Sequence, residues 1–129
     1  CFKEGTKILM SDGSYKNIED IVAGDLIKTR PNEFDEILVT GEVLKTYEHV
    51  VSTYISVNGG VLEVTPEHVI FLNDKWSLAE NLKVGDYLIN MDGEKVWVES
   101  AETINAPTKV YNFEVEKYHT YFADNIYVH

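Results

Sequence analysis

The sequence predicts an all-β domain made of two copies of one small unit, with helix confined to one or two very short stretches. Three observations lead there. Apolar and polar residues alternate at period two in short runs such as Thr6-Lys7-Ile8-Leu9-Met10, Tyr54-Ile55-Ser56-Val57 and Val110-Tyr111-Asn112-Phe113-Glu114-Val115, the pattern of strands with one buried face. Turn formers punctuate those runs at Asp12-Gly13, Asn58-Gly59-Gly60, Asn73-Asp74 and Asp92-Gly93, where left-handed backbone is needed. Finally, a shift of 61 positions without a gap lays Ile8-Leu9-Met10 on Val69-Ile70-Phe71, Asp12 on Asn73, Tyr15 on Trp76, Glu19 on Glu80, and Gly24-Asp25-Leu26-Ile27 on Gly85-Asp86-Tyr87-Leu88. A unit too small to close its own apolar face gains by packing on a copy of itself, so the duplication predicts a pseudo-two-fold pair.

In chain order, the first unit opens with the strand around Ile8, turns at Asp12-Gly13, and reaches a helical turn or two over residues 18–22. There Ile18, Ile21 and Val22 share one face. Gly24-Asp25 then turns into the strand Leu26-Ile27. Strands at Tyr54-Ile55-Ser56-Val57 and Val61-Leu62-Glu63-Val64 flank the Asn58-Gly59-Gly60 turn. The second unit repeats the first, its short helix over residues 78–82 with Leu78 and Leu82 on one face. The chain closes with the strand ending at Val115, the loop Glu116-Lys117-Tyr118, a strand through Phe122, a turn at Asp124-Asn125 and a last strand, Ile126-Tyr127-Val128. Tyr47-Glu48-His49 reads as surface, and the eight tyrosines as cover for β surface.

At 129 residues the chain fits one domain spanning residues 1–129. No run approaches the roughly 18 apolar residues of a membrane helix, and no basic-then-apolar leader opens the chain. A lone cysteine cannot form an internal disulfide, so nothing requires an oxidising compartment. A net charge of −11 opposes a polyphosphate partner. The expectation is a monomer that binds neither nucleic acid nor membrane and stays cytoplasmic with its host protein.

Chemistry gathers at few positions. Cys1, the only cysteine, holds its thiol one β-carbon from the peptide bond to any upstream residue. Attack on that carbonyl through a five-membered ring turns an amide into a thioester. Thr65 and His68, spaced Thr-x-x-His, offer a hydroxyl and an imidazole close together, able to hold an amide and protonate its nitrogen. His119 and His129 are placed by the two closing strands. Each also has a plain structural reading: His68 as a loop histidine on backbone, His119 as a cross-strand partner, His129 as a frayed end.

Cys1-Phe2-x-x-Gly5-Thr6 followed by Ile18-x-x-Ile21-x-x-Gly24-Asp25 resembles the first motif of inteins and the wider hedgehog/intein (Hint) superfamily. Thr65-x-x-His68 is similar to the second motif. The stretch from Val110-Tyr111-Asn112 to His119-Thr120-Tyr121-Phe122 is similar to the penultimate motif, and Ile126-Tyr127-Val128-His129 to the last without its terminal asparagine. The style is similar to that of bacterial intein-like domains and some mini-inteins. The resemblance implies a horseshoe-shaped Hint fold and self-catalysed splicing or autocleavage, single-turnover, with no cofactor and no metal. Its partners would be the flanking polypeptide segments in cis. It further implies that Cys1 is the nucleophile of an N-to-S acyl shift, that Thr65 and His68 strain or protonate the scissile amide, and that His119 and His129 assist cyclisation of an asparagine after His129.

Two departures bear on the later steps. Asn112 stands where many inteins have aspartate, and an amide only donates and accepts hydrogen bonds. No asparagine follows His129 in this sequence, so C-terminal cyclisation is not expected of the chain as given. The 51 positions from His68 to His119 leave no room for a homing-endonuclease insertion, and no additional region follows for sterol transfer. Both sides of a break near Gly93 are acidic, so charge does not favour a naturally split chain. Two other readings stay open: an N-terminal-nucleophile amidohydrolase using Cys1 on an external substrate, and a non-catalytic β module whose cysteine and histidines at best bind zinc.

Overall fold

The computed structural model describes all residues except 33 and 36. Among the described residues the chain forms β1 (Phe2–Lys3), β2 (Lys7–Leu9), β3 (Tyr15–Asn17), β4 (Leu26–Thr29), β5 (Val39–Val57), β6 (Leu62–Val64), β7 (Val69–Leu72), β8 (Lys75–Leu78), β9 (Tyr87–Ile89), β10 (Lys95–Trp97), β11 (Ala101–Val115), β12 (Tyr121–Ala123) and β13 (Ile126–Val128). Helix is limited to two 3-10 turns, Ile18–Asp20 and Ala79–Asn81. No helix among the described residues is long and apolar enough to cross a membrane.

The duplication is written in the hydrogen bonds. In the first copy Val22 N–H donates to the Asp25 carboxylate at 3.0 Å and Asp25 N–H to Val22 C=O at 3.1 Å. In the second, Lys83 and Asp86 repeat both bonds, at 2.9 and 3.1 Å. Gly24 and Gly85, at φ +95° and +98°, supply the left-handed step that each Gly-Asp turn requires. A six-stranded sheet in the order β3-β2-β12-β13-β7-β8 relates the copies. The β12–β13 hairpin lies at its centre, closed by Asp124 and Asn125 at φ +48° and +66°, the conformation of a tight two-residue turn.

The second sheet runs β11-β1-β6-β5-β4, with β11 also paired to β5. β5 and β11 are far longer than the short runs predicted, reaching 19 and 15 residues. The middle of β5, from Leu44 to Val50, is exposed without period-two burial, which is why the alternation signal in β5 was confined to its end, while β11 opposite it buries Val110 and Phe113. The predicted turns at Asn58-Gly59-Gly60, Asn73-Asp74 and Asp124-Asn125 take left-handed φ values, as do Gly13 and Gly93 in the other two.

Two helix-face expectations need correction. Val22 is 56% exposed and Leu78 37% exposed. The turns are 3-10, three residues per turn, so positions i and i+3 eclipse. Ile18 with Ile21, and Ala79 with Leu82, are the buried pairs, and they correspond across the repeat. The tyrosines also divide: Tyr54, Tyr121 and Tyr127 are buried, so they pack the core instead of covering surface. Phe2, Ile8, Ile27, Val57, Ile70 and Leu88 lie in the main core, while Leu9, Phe71, Ile89, Phe122 and Tyr127 form a second cluster.

Candidate functional site

The motif around Cys1 is a clamp. Phe2 is fully buried, its ring 4.5 Å from the His68 ring and 5.9 Å from that of Tyr121. Gly5 takes φ +92° and donates its N–H to the Glu19 carboxylate at 2.8 Å. Thr6, also buried, donates its hydroxyl to Lys3 C=O at 2.7 Å. Buried ring, left-handed glycine and hydroxyl-closed turn together hold Cys1 at the start of β1.

Thr65 and His68 are set by the turn from β6 to β7. Thr65 N–H donates to Cys1 C=O at 2.9 Å, and His68 N–H to Thr65 C=O at 3.2 Å. The second 3-10 turn grips the same loop, since Ala79 N–H donates to His68 C=O and Glu80 N–H to Pro66 C=O, both at 2.8 Å. Cys1 and His68 meet because β1 pairs with β6, Phe2 opposite Val64.

The result is a chain of polar contacts in a dry place. The Cys1 amine donates to Thr65 Oγ1 at 3.1 Å and makes a close hydrogen bond with His68 Nδ1. His68 Nε2 lies 2.7 Å from the carbonyl oxygen of His129. A carbonyl only accepts, so Nε2 carries the proton and Nδ1 presents its lone pair to Cys1. Thr65 is 1% exposed and His68 7%. Burial lowers the His68 pKa to about 3, helped by the neighbouring N-terminal charge. Burial likewise lowers the Cys1 amine to about 5, with Glu67 opposing. Both are neutral at pH 7.

His119 and His129 are brought together, their rings nearly parallel with centroids 6.5 Å apart. Burial, then the nearby His119 ring, lowers the His129 pKa. His119 sits at φ +59°, costly for a residue with a side chain, and such strain persists only where surroundings impose it. Here they do: His119 N–H donates to Val115 C=O at 3.2 Å, and the buried hydroxyls of Thr120 and Thr29 bond at 2.6 Å. Asn112 joins the group from β11, its Oδ1 accepting from Tyr121 Oη at 2.7 Å. A cleft of about 260 Å³ is lined by Tyr47, Asn112, Phe113, Glu114, His119 and His129. All six sequence-predicted positions thus fall around one region, with His68 touching both Cys1 and His129.

Two residues escaped sequence reading. Tyr121 lay inside a recognised motif without a role, and a buried tyrosine needs a partner for its hydroxyl, which was the available signal. Arg30, 3% exposed and 5.0 Å over the Tyr127 ring, lines a neighbouring cleft of about 440 Å³ with His119 and His129. Only its tertiary burial marks it out. Among the described residues no three His, Cys, Asp or Glu side chains gather as metal ligands.

The profile of the pretoxin Hint domain family matches residues 7–129. A bacterial intein-like domain from Clostridium thermocellum is 36% identical over 99% of this chain and 96% of its own, with a TM-score of 0.87. The gp41-1 intein (20% identity, 99% and 96% covered, TM-score 0.79) and a DnaB intein from Synechocystis sp. PCC 6803 (17%, 99% and 96%, 0.76) share the fold. No curated protein matches the sequence. The horseshoe-shaped all-β architecture, the internal duplication and the family match agree, and the chain belongs to the pretoxin Hint domain family of the hedgehog/intein superfamily of autoprocessing domains.

Proposed function

We propose that the domain rearranges the peptide bond preceding Cys1 by an N-to-S acyl shift, releasing or splicing its flanking segments in cis. The observation that carries this reading is the pair of contacts on the Cys1 nitrogen, from Thr65 Oγ1 and His68 Nδ1. In a precursor the same nitrogen is the scissile amide, so those two groups lie against the leaving atom.

The thiol sulfur adds to the upstream carbonyl carbon, the C–N bond then breaks, and in net balance the thiol's proton ends on the nitrogen. An amide nitrogen leaves only when protonated, and the His68 Nδ1 lone pair beside it would first take up the thiol's proton and then pass it to the nitrogen. Thr65 holds the nitrogen in position. His68 Nε2 meanwhile engages the His129 carbonyl, which ties the two junctions to one imidazole. Downstream, His119 and His129 would assist attack of an asparagine side chain on its own carbonyl, where such a residue follows. The family name points to toxin precursors as the hosts in which to look. An N-terminal-nucleophile amidohydrolase is a layered α/β protein, which this fold is not.

The test is a precursor with short peptides on both sides. Dithiothreitol or hydroxylamine should release the upstream peptide, and Cys1→Ala should abolish that release. Release from Cys1→Ala at the wild-type rate would remove the acyl shift.

A further inference from the structure

The β1–β11 ladder specifies where the residue before Cys1 must go. Phe2 pairs with Tyr111 and Lys3 with Val110, antiparallel, and Glu4 N–H donates to Lys109 C=O at 3.3 Å. Along an antiparallel strand each residue turns its N–H and C=O to one edge, and the edge alternates from residue to residue. Phe2 and Glu4 therefore face β11, and Cys1 and Lys3 face β6. Cys1 conforms, since its carbonyl accepts from Thr65 N–H. On β11, Lys109, Tyr111 and Phe113 face β1 while their even-numbered neighbours face β5. Continuing the register one step sets Asn112 opposite Cys1. A second step sets Phe113 opposite the residue before Cys1, whose carbonyl, the scissile one, then points at Phe113 N–H.

That N–H is in use. It donates to Asn112 Oδ1 at 2.9 Å, and Tyr121 Oη donates to the same oxygen. A backbone N–H only donates, so the Asn112 atom facing it must be the oxygen. The side chain curls over the strand edge and occupies the place of the incoming carbonyl. Two residues further along β11 the edge closes, because Val115 C=O already accepts from His119 N–H.

We propose that Phe113 N–H is the donor that receives the scissile carbonyl and its oxyanion, and that the Asn112 side chain, tethered by Tyr121, holds this donor until the upstream residue displaces it. The proposal rests on the acyl-shift reading and adds to it a catalytic backbone group and a one-residue docking edge for the segment before Cys1. When the Cys1 sulfur bonds to the carbonyl carbon, the carbonyl π pair moves to oxygen, where Phe113 N–H bonds it. Collapse restores the C=O and breaks the C–N bond, and the nitrogen leaves with the proton delivered through His68. Only the residue immediately before Cys1 is read by this edge.

The experiment replaces single amides by esters in a precursor carrying a short upstream peptide. An ester at Phe113, built from the corresponding α-hydroxy acid, deletes the N–H and keeps the side chain. Thiol-induced release should fall on the order of 10²-fold, the usual effect of removing one oxyanion donor. An ester at Glu114, whose N–H faces β5, should change it less than threefold. Equal losses at both positions, or less than threefold at Phe113, would overturn the proposal. A second measurement needs no turnover: in a Cys1→Ala precursor with a ¹³C carbonyl before residue 1 and ¹⁵N at Phe113, a coupling across the hydrogen bond should join the two nuclei. Coupling of Phe113 only to the Asn112 side-chain carbon would overturn it. A wild-type precursor that never forms a thioester would count against the acyl shift itself, while this coupling still decides where the carbonyl docks.

Discussion

At the scale of single residues, His68 concentrates the chemistry. Its proposed task is protonating the amide nitrogen, and loss of a positioned acid typically costs about 10²–10⁴-fold. His68→Ala should lower thiol-induced release by that order with an unchanged circular dichroism spectrum. A loss below threefold would return His68 to a purely structural role. Its pKa also makes a stability statement. The His68 pKa is about 3 in the fold against 6.5 unfolded, and the Cys1 amine about 5 against 8.0. The unfolded chain therefore binds more protons between pH 3 and 8, and stability rises with pH. The His68 contribution is complete above pH 6.5 and is lost as pH falls toward 3. Melting curves of the free domain should show Tm falling on acidification, less steeply below pH 6.5 in His68→Gln. In a precursor the neighbouring amine becomes a neutral amide, one of the causes lowering His68 disappears, and its imidazole should titrate at higher pH. Imidazole ¹⁵N shifts of Cys1→Ala with and without an upstream peptide measure this, and identical titrations would show that the amine charge is immaterial.

Among elements, the long β5–β11 ribbon is the least legible from sequence and the most consequential. From Leu44 to Val50 the β5 strand is exposed, so no burial pattern marks it, yet it pairs with the part of β11 along which β1 and Asn112 are aligned. Its inner end relies on Gly41, where an added Cβ would meet Val115 Cγ1 at 2.5 Å, beside the register shift between Glu114 and Val115. Val115 is buried and branched, so it yields little. Gly41→Ala should destabilise the domain by about 1–3 kcal/mol, read as a Tm several degrees lower, and Val115→Ala in the same chain should recover part of that loss. An unchanged Tm for Gly41→Ala would mean that the ribbon adjusts freely at this point. The short 3-10 turns were visible as helical patches, but their period was not, because two apolar pairs fit 3.0 and 3.6 residues per turn equally well.

For the whole molecule, the β1–β6 and β13–β7 pairings bring both ends of the chain to His68. In the proposed reaction the steps at the two junctions would share this one side chain, and the outcome would depend on how well they keep pace. A precursor in which asparagine and a thiol or hydroxyl residue follow His129 should gain C-terminal cleavage. With Asn112 unable to exchange a proton, separated flanks should accumulate beside any spliced product, and Asn112→Asp should raise the spliced fraction. Mass spectrometry of the flanking peptides reads both. Near-complete splicing with Asn112, or an unchanged ratio with aspartate, would show that position 112 does not limit coupling.

The sequence alone determined the all-β class, the duplication, the turn positions and the six candidate residues. These depend on local patterning and on motif spacing, which are one-dimensional quantities. Tertiary structure decided what no spacing contains. It determined that Cys1 reaches His68 through the β1–β6 pairing, that the His129 carbonyl selects the His68 tautomer, that Tyr121 and Phe113 N–H grip the Asn112 oxygen, and that Arg30 is buried beside Tyr127. Each joins residues distant in sequence across a sheet edge, where strand register and burial set geometry and charge.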